Sequence, residues 1–134
     1  KYNKELKMNN IGFSPKLPLS NTRVHYDMIF EIRENIKQNF KNLVLTSPGE
    51  RIMIPEFGVG VRRYLFEINS PMVLAEIEAE LEDQVDRFMP FIQIEEVFSR
   101  DQINGVKTTE AQLALVISYS VPDFNIKDEL FINQ

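Results

Sequence analysis

The chain has 134 residues, 43% of them apolar and 26% charged, with a formal net charge of −5. That length fits one domain with a modest core, and the absence of Cys excludes a disulfide framework, a thiolate nucleophile and a cysteine metal site. The acidic balance excludes a broad basic nucleic-acid footprint, and no apolar run approaches the roughly 20 residues that span a bilayer. The Lys-rich, polar start does not read as a signal peptide. Lys1, Lys4, Lys7 and Lys16 crowd it, either as a local basic patch or as a solvated tail.

Residues 1–20 read as an extended arm. Gly12, Pro15 and Pro18 defeat helical periodicity, while Ile11, Phe13, Leu17 and Leu19 alternate as in a peptide lying on a surface. A docked peptide and a partly ordered terminus both fit. Residues 21–40 read as a helix that Asn21 or Thr22 caps, with Ile29, Ile32, Ile36 and Phe40 on one face. Leu43, Val44 and Leu45 then lead into Ser47-Pro48-Gly49, a turn that stops a helix. Over 50–58 the pattern predicts a short extended segment, Ile52 and Ile54 alternating with Arg51 and Met53 up to Pro55. Gly58 and Gly60 free the backbone around Val59, and residues 61–67 suit a short helical turn.

A second helix is predicted over 70–88. Ser70-Pro71 opens it, and Leu74, Ile77, Leu81, Val85 and Phe88 form its buried stripe. Its remaining positions are acidic: Glu76, Glu78, Glu80, Glu82, Asp83 and Asp86. That face is either a docking surface or a solvated one. Residues 91–121 read as a β-hairpin. Ile92 and Ile94 alternate on its first strand, with room for a bulge before Val97 and Phe98. Asn104-Gly105 is a strong turn signal, because that turn needs positive φ. The second strand, 111–121, places Leu113, Leu115, Ile117, Tyr119 and Val121 on one face and Ala114, Val116, Ser118 and Ser120 on the other. Pro122 stops it, and a last extended segment runs from about Phe124 to Ile132. The order is that of an α+β domain, two helices on a small, mostly antiparallel sheet.

Candidate chemistry is sparse. The single His25, near the start of the first predicted helix, has no sequence-adjacent partner for metal or acid–base work. Glu50, Glu56 and Glu67 could supply the two carboxylates of glycoside hydrolysis, but sequence spacing does not give their separation in space. Gly58-Val59-Gly60 is no dinucleotide loop, since Arg63 stands where a third glycine belongs. The turn at Thr46–Arg51 delivers a charged pair, Glu50 and Arg51, into an apolar segment. Arg51 offers a planar donor fork suited to carboxylates or carbonyls.

Residues 43–67, LVLTSPGERIMIPEFGVGVRRYLFE, resemble the signature of the phage baseplate wedge proteins often labelled tail lysozyme, a family shared with type VI secretion and tailocin baseplates. The matching positions are Leu43, Leu45, Thr46, Gly49, Glu50, Arg51, Pro55, Glu56, Phe57, Gly58, Leu65, Phe66 and Glu67. The resemblance extends over about residues 21–130, leaving the 1–20 arm outside a single α+β domain at 21–134. One departure stands out: the family's Glu-Pro-Arg-Ile run is here Met89-Pro90-Phe91-Ile92, so both charges are replaced by apolar side chains.

The resemblance implies a fold similar to the strand-exchange domain of tail sheath subunits, and a structural subunit without cofactor, metal or catalytic residues. It implies partners of two kinds: other wedge proteins forming a helical core bundle, and the sheath subunit, whose first ring it would template by strand addition. It further implies several copies in a six-fold baseplate, assembled in the host cytoplasm into a virion, with no nucleic-acid or membrane partner. Thr46, Gly49, Glu50, Arg51, Pro55, Glu56, Phe57 and Gly58 would shape the core-bundle contact, and Met89, Pro90 and Phe91 an apolar one. Leu113, Leu115, Ile117 and Tyr119 of the 111–121 strand, together with the terminal segment, would lie on the sheath side. If that strand is central in its own sheet, the terminal segment or the 92–99 strand supplies the edge instead. The alternatives are a peptidoglycan-degrading tail lysozyme and the equivalent subunit of a secretion-system or tailocin baseplate.

Overall fold

A computed structural model describes residues 14–17, 21–22, 25–26, 28–29, 31–65, 70–100, 102–103, 106–107 and 114–133. It divides into two compact units, Lys1–Asn39 and Phe40–Gln134. In the first unit, β1 (Ser14–Pro15) pairs antiparallel with β4 (Met28–Ile29), and β2 (Asn21–Thr22) with β3 (His25–Tyr26). These pairs replace the front half of the helix expected over 21–40, because backbone groups engaged across a ladder cannot also serve an i→i−4 bond. The observed helix, α1, runs Ile32–Leu45, and its first turn is tied by Asn35 N–H donating to Glu31 O at 3.1 Å. His25 therefore sits in β3 opposite Thr22, away from any helix start.

Residues 15–17 lie along α1 of their own chain. The Gln38 side-chain amide accepts from Leu17 N–H at 2.8 Å and donates to Pro15 O at 3.0 Å. Lys16 adds an ion pair to Glu34 at 3.1 Å, exposed on both sides and so worth little by itself. The unit boundary falls within α1, whose second half carries the apolar run Leu43-Val44-Leu45. Phe40, Leu43 and Val44 are fully buried at the i, i+3, i+4 spacing of one helical face.

The second unit is built on a three-stranded antiparallel sheet in the order β5 (Gln93–Arg100), β8 (Ala114–Val121), β9 (Ile126–Ile132). Beyond β5, the short strands β6 (Gln102–Ile103) and β7 (Val106–Lys107) pair with each other. They flank Asn104-Gly105, which lie outside the described residues, as do residues 111–113, Phe66 and Glu67. The expected bulge is present, as a register shift between Ile94 and Glu96. The β8–β9 register runs without a break from Leu115 opposite Ile132 to Val121 opposite Ile126.

The predicted second helix is α2 (Pro71–Phe88), with Pro71 at its first position and the Ser70 carbonyl accepting Leu74 N–H. Ile77, Leu81 and Val85 are buried as their spacing requires. The sheet's core row is Val97, Ile117 and Leu130, opposed across the three strands and all buried. Phe40 of α1 meets Tyr119 of β8 with ring centroids 4.8 Å apart, tilted 58°.

A candidate partner-binding surface

The segment after α1 is neither strand nor helix. An extended strand would leave its backbone unpaired, so the chain curls on itself instead. Gly49 N–H donates to Pro55 O at 2.6 Å and closes the loop, Phe57 N–H donates to Ile54 O at 3.2 Å, and the Glu50 carboxylate accepts Ser47 N–H at 2.9 Å. The alternation expected over 50–58 therefore has no sheet behind it. Ile52 is 95% exposed and Met53 91% exposed, at the loop's apex.

The base of this loop is fastened from two sides. Thr46 Oγ1 donates to Asn42 O at 2.6 Å, while the Thr46 carbonyl accepts Gly60 N–H at 2.9 Å. Gly58 has φ +109° and is pressed against Thr46, so that a Cβ here would collide with the Thr46 carbonyl oxygen. Only glycine satisfies both conditions. From the other side, Gln84 of α2 uses both ends of its amide: its oxygen accepts Gly58 N–H at 2.8 Å and its nitrogen donates to Glu56 O at 3.0 Å. Gln84 is 7% exposed. Its polar group stands on the apolar stripe of α2, three residues after Leu81, and it satisfies the buried Gly58 N–H and the part-buried Glu56 carbonyl. Sequence reasoning missed this residue; a lone amide on a helix's buried stripe was the available signal.

Aromatic and charged contacts complete the face. Phe57 meets Phe88 of α2 edge-on, ring centroids 5.1 Å apart. The Arg51 guanidinium stacks 3.9 Å over the Phe57 ring, a cation–π contact. Glu56 pairs with Arg87, both exposed. The following 3₁₀ turn, Val61–Tyr64, is anchored to α2 through Glu80, which accepts from Arg63 Nη2 at 2.8 and 2.6 Å and from the Tyr64 hydroxyl at 3.1 Å. The hydrogen bond to Glu80 raises the Arg63 pKa above its ordinary value. Partial desolvation, and then the same carboxylate, raises that of Tyr64.

The remaining expected contact residues separate. Met89 is buried beyond the last turn of α2, its N–H donating to Val85 O at 2.8 Å, so only Pro90 and Phe91 of that run reach the surface. Beside them Glu82, Val85, Asp86, Pro90, Ile92, Gln93 and Ile94 line an open groove of about 350 Å³. Leu115, Ile117 and Tyr119 point into the core from β8, which is paired on both sides. Leu113 lies outside the described residues. Among the described residues no group of three His, Asp or Glu side chains could hold a metal ion, and no helix is long and apolar enough to cross a membrane.

The three-stranded antiparallel sheet with two helices is an architecture shared with chains of solved baseplate complexes. The family model of baseplate wedge protein gp25 matches residues 31–125, and the chain belongs to that family, as a structural component of the baseplate. A protein from Geobacter sulfurreducens labelled a tail lysozyme, solved by crystallography, superposes with a TM-score of 0.59 at 25% identity, over 78% of this chain and 90% of its own. A chain of the anti-feeding prophage baseplate gives a TM-score of 0.58 at 23% identity, over 82% of both chains. One from the baseplate complex of the type VI secretion system gives 0.54 at 12% identity, over 77% and 92%. These last two likenesses speak for the fold alone. No curated protein matches the chain by sequence.

Proposed function

We propose that the chain is a non-enzymatic wedge subunit that grips the core bundle of its baseplate through the 46–58 loop and offers a sheet edge to the first ring of tail sheath. The observation that carries this reading is the division of labour within the second unit. The loop carries its most exposed apolar side chains on a fastened base, while the sheet leaves β5 and β9 each with a single strand partner among the described residues. An edge of that kind is a template for an incoming strand. β9 is the better candidate, because its seven-pair register with β8 is regular, whereas the bulge in β5 interrupts that edge. The central strand β8 then acts as the spine that holds β9 in place rather than as the edge itself.

Assembly in a host cytoplasm, several copies around a six-fold axis, and the absence of nucleic-acid and membrane partners belong to the same proposal. So does the organisation of 21–134 as one functional domain behind the 1–20 arm. Cryo-electron microscopy of the assembled tail tests it. A sheath strand is expected beside β9, with the 46–58 loop against helices of other wedge proteins. A tail in which both sheet edges face solvent would overturn the sheath assignment. For the enzymatic alternative, clearing of a peptidoglycan zymogram by purified protein, abolished by Glu50→Gln or Glu56→Gln, would overturn the structural one.

A further inference from the structure

Three features of the 46–58 loop combine in a way that neither the family match nor the sequence motif specifies. First, its apex is apolar: Ile52 at 95% and Met53 at 91% exposure are the most exposed large apolar side chains among the described residues. Single exposed apolar residues are ordinary, but two adjacent ones at the tip of a closed loop form a convex plug. Second, the plug is held in advance. The Gly49–Pro55 hydrogen bond closes the loop, and Gln84 fixes its base to α2. A pre-ordered tip loses little conformational freedom on docking, which favours affinity.

Third, the charges of the loop are unequally engaged. Glu50 accepts the Ser47 N–H, and Glu56 pairs with Arg87. Arg51, by contrast, is exposed, its guanidinium 3.9 Å over the Phe57 ring and without an ion pair among the described residues. An exposed guanidinium without an ion pair keeps N–H donors for a bidentate carboxylate. In a chain of net charge −5, this tip therefore presents a cation beside two apolar side chains.

From this geometry we infer that the Arg51-Ile52-Met53 tip inserts into an apolar cleft between helices of another baseplate protein, and that the cleft carries an Asp or Glu within one helical turn that receives Arg51. Helical surfaces supply such sites naturally, since apolar grooves and flanking carboxylates recur at i+3 and i+4. A lipid surface fits poorly. Two side chains bury far less apolar area than a single acyl chain, itself only a marginal anchor, and the acidic chain is repelled by anionic lipid. The inference rests on the proposed function above and names the partner chemistry of its loop.

The test is site-specific photo-crosslinking in assembled tail particles. p-Benzoyl-phenylalanine is placed at position 53, with position 72 as control, because Met72 is also exposed, at 73%, but lies on α2. The expected result is a position-53 adduct on a helical segment of one other baseplate protein, with an Asp or Glu within a turn of the linked residue. Arg51→Glu should then weaken retention in particles by roughly tenfold or more, and exchange of the mapped carboxylate for Arg should restore it. An adduct on lipid, on a strand, on a basic segment or on the 82–94 groove of a second copy would overturn the inference. So would a yield no greater than that at position 72. Particles that contain the chain without a position-53 adduct refute this inference alone, whereas particles that lack the chain altogether refute the proposed function with it.

Discussion

The 46–58 loop and the β8 strand were both candidates for partner contact, and they are opposites in physical character. β8 is buried on both faces: Leu115, Ile117 and Tyr119 fill the core on one side, while Val116 on the other lies between Phe98 and Phe131. Its backbone is paired on both edges. The loop has no strand partner, yet its hydrogen bonds close internally and onto Gln84. The contrast shows two ways of making a surface dependable. One pairs β9 along an unbroken register; the other fastens a loop whose tip is exposed. An apolar side chain thus contributes to stability in β8 and, on the proposed reading, to recognition in the loop.

If that contrast holds, the largest effect on stability belongs to the strand. Ile117→Ala should cost about 4 kcal/mol, since it opens a cavity in a row closed by Val97 and Leu130. Urea unfolding of the isolated chain measures it, and a cost near zero would break the comparison. Next comes the fastening of the loop. Gly58→Ala should cost about 3 kcal/mol, because it combines a positive φ with a collision against a backbone carbonyl. Gln84→Leu should cost about 2 kcal/mol, by leaving the buried Gly58 N–H and the part-buried Glu56 O without their partner. Faster amide hydrogen exchange confined to residues 56–60 would show that the loss is local.

The tip itself should be silent in the isolated protein. Ile52→Ser and Met53→Ser should change stability by less than about 0.5 kcal/mol while lowering incorporation into tails. A melting shift comparable with that of Ile117→Ala would erase the distinction between the two regions. The smallest effect concerns Tyr64. Its raised pKa means that folding favours the neutral phenol, so its contribution is fully present below pH about 10 and is lost as pH rises through the folded-state value. A difference titration of phenolate absorbance between the chain and Tyr64→Phe should show the lost phenol titrating late, and Glu80→Gln should bring that step earlier without abolishing its delay.

Much of this fold was legible locally. The Ser-Pro opening and apolar stripe of α2, the alternation of β8, the bulge in β5 and the helical turn after Gly60 are all patterns over neighbouring residues, and each is where the pattern placed it. The α1 start was not legible, because Ile29 continues the helical spacing of Ile32 and Ile36 even though its backbone pairs with Ser14. The 50–58 loop misled for a related reason: apolar residues two apart describe a strand only if another strand accepts them.

The sequence by itself therefore determined the class of the protein, through the α+β order and the Thr46–Gly58 motif that marks its family. Tertiary structure alone decided which parts of that motif face outward. It sent Met89 into the core, placed Gln84 beneath the loop and left Ile52 and Met53 at its apex. It also placed β8 between β5 and β9 in the sheet of the described residues. Periodicity records which side chains avoid water, but pairing and close approach join residues far apart in the chain. Only the folded backbone shows which hydrogen-bonding groups have already found partners and which remain to be offered.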